Sequence, residues 1–303
     1  MKFLRTPDEA FDNLDGYPFK PNYAELDDHE GGKLRVHYID EGDKSQSPVL
    51  LMHGEPSWSY LYRKMIPIFV DHGRRVIAPD LIGFGKSDKP ADRNDYTYVR
   101  HVSWMSQLVF EILNLTNITL VCQDWGGLIG LRLVGLDPDR FSGVVAANTG
   151  LPTGHEPMSD AFEAWKKFSQ EVPEMPIGSI VSMGCATKPT PEIIAAYDAP
   201  FPDESYKEGA RIFPKLVPTS PDDPAVQDQA TAWEVLKKFE KPFMTAFSDS
   251  DPITKGGYRI LQELIPGCKS VEHKTVVGGG HFLQEDKGEE LAGMVCDFMD
   301  QYE

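Results

Sequence analysis

Cysteine is scarce in this chain, with four in 303 residues, at positions 122, 185, 268 and 296. They are scattered, without the paired spacings that hold zinc or frame a small disulfide scaffold. Reduced thiols in a cytoplasmic protein are therefore expected, and no metal or other cofactor is implied. Positive charge is also short: 30 Lys and Arg face 47 Asp and Glu, a formal net charge of −17. That balance speaks against nucleic acid and anionic membrane surfaces as partners. Long apolar runs are missing too. No stretch approaches the roughly 20 residues of a membrane span. The opening segment Met1–Asp8, with Lys2 and Arg5 in it, lacks the apolar centre of a secretory signal. Internal repeats and low-complexity tracts are absent. What is left is a globular chain of a length suited to one core domain with an inserted module.

The pattern that is present alternates. Apolar, β-branched segments read as strands at Lys33–Asp40, Pro48–Met52, Arg75–Pro79, Asn117–Cys122, Gly143–Asn148, Pro242–Phe247 and Val271–Val277. Helical stretches fall at Ser59–Asp71, Tyr98–Asn114, Gly127–Leu136 and Gly288–Tyr302. Such alternation predicts an α/β protein, with a mostly parallel central sheet flanked by helices. Between Thr149 and about Gln227 the rhythm breaks. Pro, Met and aromatic residues crowd short helical pieces there, such as Asp160–Glu171 and Pro191–Tyr197. An inserted helical cap over the carboxyl edge of the sheet accounts for this. The expected division is a core made of residues 1–150 and 228–303, with a cap at 151–227.

The chemistry concentrates at Val121, Cys122, Gln123, Asp124, Trp125, Gly126 and Gly127. A buried strand leads in and a helix leads out, with small residues two positions either side of Asp124. This is the layout of a nucleophile elbow, in which a sharp strand-to-helix turn exposes the central side chain. A serine usually occupies the centre; here it is aspartate. A carboxylate with an ordinary pKa near 4 is anionic at neutral pH. It therefore displaces a leaving group from saturated carbon without a partner base, forming an alkyl ester. A histidine is then needed for water rather than for the nucleophile. Helix capping is the plainer use of an aspartate before a helix, and its partners must decide between the two.

Those partners are present. The strand Pro48–Met52 ends in His53, Gly54, Glu55 and Pro56, a turn suited to lending a backbone N–H to an oxyanion hole. The backbones of Glu55 and Trp125 are the candidate donors, and the Glu55 side chain is expected near the hydrolytic water. After the strand Pro242–Phe247 come Asp249 and Asp251, and after the last strand come Gly278, Gly279, Gly280 and His281. His281 is the candidate base, singled out from eight histidines by this glycine-rich loop. Asp251, directly before Pro252, is the chosen orienting acid, and Asp249 remains open as its competitor. The order nucleophile, acid, histidine is that of the α/β-hydrolases.

Taken together, these motifs resemble the haloalkane dehalogenases of the α/β-hydrolase superfamily. The matching pieces are His53–Trp58, Val76–Pro90, Gln123–Gly127 and Gly280–Glu285, spread over nearly the whole chain. The resemblance implies an α/β-hydrolase fold with a helical cap, and hydrolysis of carbon–halogen bonds to alcohol, halide and proton. It implies a catalytic set of Asp124, Asp251 and His281, with a small haloalkane and water as partners. An indole N–H donates but does not accept, so Trp125, next to the nucleophile, suits a halide ion. The branch with a second halide-binding tryptophan is similar at Phe162–Lys166, which nominates Trp165. Glu55 stands where the other branch has an asparagine.

Two further readings compete. An epoxide hydrolase uses the same aspartate, but its ring oxygen needs a proton, usually from cap tyrosines; Tyr197 and Tyr206 lie in the expected cap. A silent binding protein on a hydrolase scaffold is the third possibility, and the complete catalytic set argues against it.

Overall fold

The computed structural model describes residues 1–302. Eight strands form one sheet: β1 (Asn22–Asp27), β2 (Lys33–Glu41), β3 (Pro48–Met52), β4 (Arg75–Pro79), β5 (Ile118–Gln123), β6 (Phe141–Ala147), β7 (Phe243–Ser248) and β8 (Lys274–Val276). Their spatial order is β8-β7-β6-β5-β3-β4-β2-β1. The pairs β1–β2 and β2–β4 are antiparallel, and the rest are parallel. Strands β3 and β5 are buried along their whole length, as expected where helices cover both faces of a parallel sheet. Strand β1, absent from the expectation, alternates exposed and covered residues at the sheet edge. Its Tyr23, Glu25 and Asp27 dilute the apolar signal below what a buried strand shows.

Ten helices accompany the sheet among the described residues: α1 (Ile66–Asp71), α2 (Tyr98–Ser106), α3 (Trp125–Leu136), α4 (Asp160–Glu171), α5 (Ile177–Gly184), α6 (Pro191–Asp198), α7 (Glu208–Leu216), α8 (Val226–Leu236), α9 (Tyr258–Leu264) and α10 (Leu283–Tyr302). Local chemistry explains several starts. The hydroxyls of Thr97, Ser159 and Thr190 accept from Arg100, Phe162 and Ile193 N–H at the heads of α2, α4 and α6, which satisfies otherwise orphaned donors.

Several expected bounds shift. The stretch Ser59–Asp71 splits into a 3-10 turn, Ser59–Tyr62, and α1, and Pro67 sits in the first turn of α1. Helix α2 passes into a π-helical segment, Gln107–Ile112. The last strand is shorter than Val271–Val277, because Pro266–Ser270 forms a 3-10 turn before it. Helix α10 begins before Gly288 with a turn that breaks at Lys287. None of the described helices is long and apolar enough to cross a membrane.

Helices α4 to α7 lie between β6 and β7 in sequence, within the expected insertion. Helix α8 straddles its expected end at residue 227 and packs on α3 instead. Arg132 of α3 donates to Asp228 and Gln229 of α8, and Gly135 leaves room for Ala232.

In the sheet, Met52 pairs with Cys122, and Gln123 with Ala147. The carboxyl ends of β3, β5 and β6 therefore meet at one place. Open α/β sheets bind their ligands at that edge.

Candidate active site

The turn after β5 is tight enough to need a special backbone. Asp124 adopts φ 50°, ψ −126°, a conformation that costs about 1–3 kcal/mol for a residue with a side chain. Gly126 follows because a Cβ there would run into the Met52 and His53 carbonyls of the neighbouring strand end. Gly54 is required across the turn, where a Cβ would collide with the Asp124 side chain itself. With both glycines in place, the Glu55 N–H reaches Asp124 Oδ1 and donates at 2.8 Å. The Asp124 N–H and C=O are tied to the next strand end, by Asn148 C=O at 3.1 Å and the Thr149 hydroxyl at 2.7 Å. Asp124 thus caps no N–H of α3 with its side chain; its carboxylate points elsewhere.

It points towards His281. The imidazole Nε2 is 3.6 Å from Asp124 Oδ2, and Nδ1 is 3.1 Å from Asp251 Oδ2. Asp251 is buried and also accepts from the Ile253 N–H at 2.8 Å and from the Thr254 hydroxyl. Burial opposes its charge, but His281 and these donors prevail and hold its pKa down to about 2. Burial likewise opposes a charge on His281, yet the Asp251 and Asp124 carboxylates outweigh it and raise its pKa to about 10. Asp249 is exposed and accepts from Gly278 N–H and the Ser250 hydroxyl, so it braces its loop away from the imidazole.

A largely apolar cavity of about 790 Å³ opens onto this group, with Asp124, Trp125, Trp165 and His281 in its lining. The Trp125 ring is gripped by Tyr98 and Phe213, with centroids at 4.9 and 4.5 Å. Its indole N–H meets no protein acceptor among the described residues. Trp165, on α4, is half-buried and stacks on Phe168 at 5.8 Å. The Glu55 side chain is buried beside them, with Oε1 unpaired. Burial and the charge of Asp124 push its carboxyl well above the usual range, with His281 and the Trp165 indole pulling the other way.

A family model for the α/β hydrolase fold matches residues 47–288. A haloalkane dehalogenase of Psychrobacter cryohalolentis is 60% identical, over 99% of this chain and 98% of its own length. The chain belongs to the haloalkane dehalogenases. A member from Mycobacterium marinum is 49% identical over 98% of this chain and its own full length. Among solved structures, the tetrameric haloalkane dehalogenase DpaA of Paraglaciecola agarilytica superposes with a TM-score of 0.90 at 41% identity, covering 97% of both chains.

Two cap tyrosines had kept epoxide opening in view, and neither lines the cavity of this dehalogenase. Tyr197 is fully buried elsewhere and donates to Glu285 at 2.7 Å. Tyr206 lies at a 3-10 turn outside the cavity.

Other residues of the site had escaped the sequence reading. Asn148, at the end of β6, donates to the carbonyls of Gly280 and His281 at 2.9 and 3.1 Å and accepts from Ser248 N–H. It fastens the histidine loop to two strand ends. The Gln123 amide donates to the same His281 carbonyl at 3.1 Å, leaving its own oxygen unpaired and buried. Their only sequence signal was position: each is the last residue of a strand or the first beyond it.

Proposed function

We propose that this dehalogenase hydrolyses haloalkanes through an ester on Asp124. Asp124 Oδ2 attacks the halogen-bearing carbon from the side opposite the halogen, and the halide leaves with the bonding electron pair. The indole N–H groups of Trp125 and Trp165 receive that anion, in a cavity whose apolar walls keep water from competing. A water molecule then adds to Asp124 Cγ while His281 Nε2 takes its proton. Negative charge collects on Oδ1, where the Glu55 N–H is already aimed and the Trp125 N–H, free at the head of α3, adds a second donor. The Cγ–Oδ2 bond breaks as the His281 imidazolium returns a proton to Oδ2, the alcohol departs, and Asp124 keeps the oxygen from water and releases its remaining proton. Asp251 steadies the imidazolium, and Glu55, whose Oε1 has no partner, offers a hydrogen bond to the incoming water.

The electrostatics suit two successive roles for His281. Before alkylation two carboxylates hold it protonated. Ester formation removes the charge of Asp124, so the imidazolium loses part of that support, its pKa falls and it gives its proton to solvent, leaving the free base that takes the proton from water.

The observation that carries the reading is the split use of one carboxylate, with Oδ1 on the Glu55 N–H and Oδ2 beside His281. Bromide release from 1-bromobutane and 1,2-dibromoethane by the wild type and Asp124→Ala tests it. Release by the wild type, with at least a 10⁴-fold loss in the variant, is expected. Equal release by both would remove Asp124 from the reaction.

A further inference from the structure

The turn that follows His281 ends in two consecutive acids, Glu285 and Asp286, which the reaction described above leaves without a role. Asp286 accepts from four donors. Three are on the loop leaving α5: Ala186 N–H at 2.8 Å, Thr187 N–H at 2.7 Å and the Thr187 hydroxyl at 2.5 Å. The fourth is Gly280 N–H, at 2.8 Å, directly before the histidine. Glu285 is buried and holds Arg63 through two bonds of 2.6 and 2.8 Å, Lys64 at 2.9 Å, and the Tyr197 hydroxyl of α6 at 2.7 Å. The His281 N–H itself donates to the carbonyl of Gly184, the last residue of α5, at 2.7 Å.

The loop that presents His281 thus has few fixings of its own. Gly278, Gly279 and Gly280 bring no side chains to pack, and Gly278 has φ 75°. What locates the histidine is a set of hydrogen bonds, shared between strand ends on one side and the helical insertion on the other. We infer that Glu285 and Asp286 are positioning residues through which α5 and α6 set the place of His281 for ester hydrolysis, leaving halide displacement untouched. The inference rests on the ester mechanism proposed above. Displacement uses Asp124 and the halide donors, none of which is anchored by these acids. Hydrolysis requires the imidazole, a water and Cγ to be aligned, and a shift of about 1 Å in such an arrangement costs on the order of 100-fold.

The two half-reactions separate the claim from a plain stabilising role. Asp286→Asn leaves only one oxygen for four donors, and Tyr197→Phe deletes the link from α6 while sparing the Arg63 pair. Glu285 itself is left intact, because its loss would strand a buried guanidinium. With 1-bromobutane in rapid-quench experiments, both variants are expected to keep a first-turnover bromide burst within about twofold of the wild type. Alcohol formation should slow by about 10- to 100-fold, with kcat and KM falling together and an alkylated Asp124 peptide accumulating in the mass spectrum. Alcohol formation at the wild-type rate overturns the inference. So does a burst that shrinks in step with kcat while KM stays constant, since that reports only fewer folded molecules. No alkylated Asp124 peptide in either variant or in His281→Gln would instead remove the ester mechanism on which the inference stands.

Discussion

Strands β3 and β5 are buried from end to end, and the groups at their carboxyl ends inherit that rigidity: Glu55 N–H and Asp124 are fixed mainly by backbone geometry, with the Thr149 hydroxyl on the Asp124 carbonyl. The insertion between β6 and β7 is built differently. Its helices α4 to α7 have 12, 8, 8 and 9 residues, lengths at which isolated helices are marginal in water. They are held by side-chain devices: the Tyr197–Glu285 bond, Arg211 donating to Val172 and Pro173 carbonyls, and the Asp198 carboxylate on Gly178 N–H. The core positions Asp124, the proposed nucleophile, by steric necessity. The insertion positions a tryptophan and a histidine loop by hydrogen bonds that point mutations can remove singly.

That contrast is sharpest at Gly126. A Cβ there meets main chain on the adjacent strand end, which cannot move aside, so Gly126→Ala should lower stability by about 3 kcal/mol. Denaturant unfolding measures this, and an unchanged midpoint would mean that the elbow is softer than its geometry implies. A pH titration of stability probes the histidine that both regions hold. The pKa of His281 is 6.5 in an ordinary setting and about 10 in the folded protein. Its contribution is therefore complete below pH 6.5, declines as pH rises, and is gone above about 10. His281→Gln should flatten that part of the curve of melting temperature against pH; identical curves would place the imidazole outside the ion triplet. The smallest effect expected is on halide affinity. Trp125→Phe, at a site locked by Tyr98 and Phe213, should weaken bromide binding about tenfold or more, and Trp165→Phe about three- to tenfold. Quenching of tryptophan fluorescence by bromide reads both. Unchanged binding in Trp165→Phe would dissociate α4 from the halide.

The legibility of the chain follows the same division. The bounds of β3 and β4 were readable to the residue, because β3 is buried throughout and β4 after Arg75, so each reads as an apolar run. The elbow was readable because only small residues allow its turn. Strand β1 was not, since a half-exposed edge strand mixes polar side chains into its alternation. In the insertion, the bounds of α4 were readable to the residue and those of α6 to within one. That α6 stands off the cavity was not legible, so Tyr197 looked available for ring opening when it is committed to Glu285. Between Asp249 and Asp251, two residues apart on one loop, local sequence offered no decisive distinction.

By itself, then, the sequence determined the class of chemistry: an aspartate in an elbow, a histidine on a glycine loop, and indoles suited to a halide. Those are properties of residue type and near-neighbour spacing, which survive without knowledge of the distant chain. Only the tertiary structure decided which aspartate meets the imidazole, that burial and Asp124 push the Glu55 carboxyl well above its usual range, and that Asn148 and Asp286 bind the histidine loop. Each of these depends on burial or on contacts between segments far apart in sequence. Burial and distance set the charge state of a carboxyl group, and neither is written in the residues on either side of it.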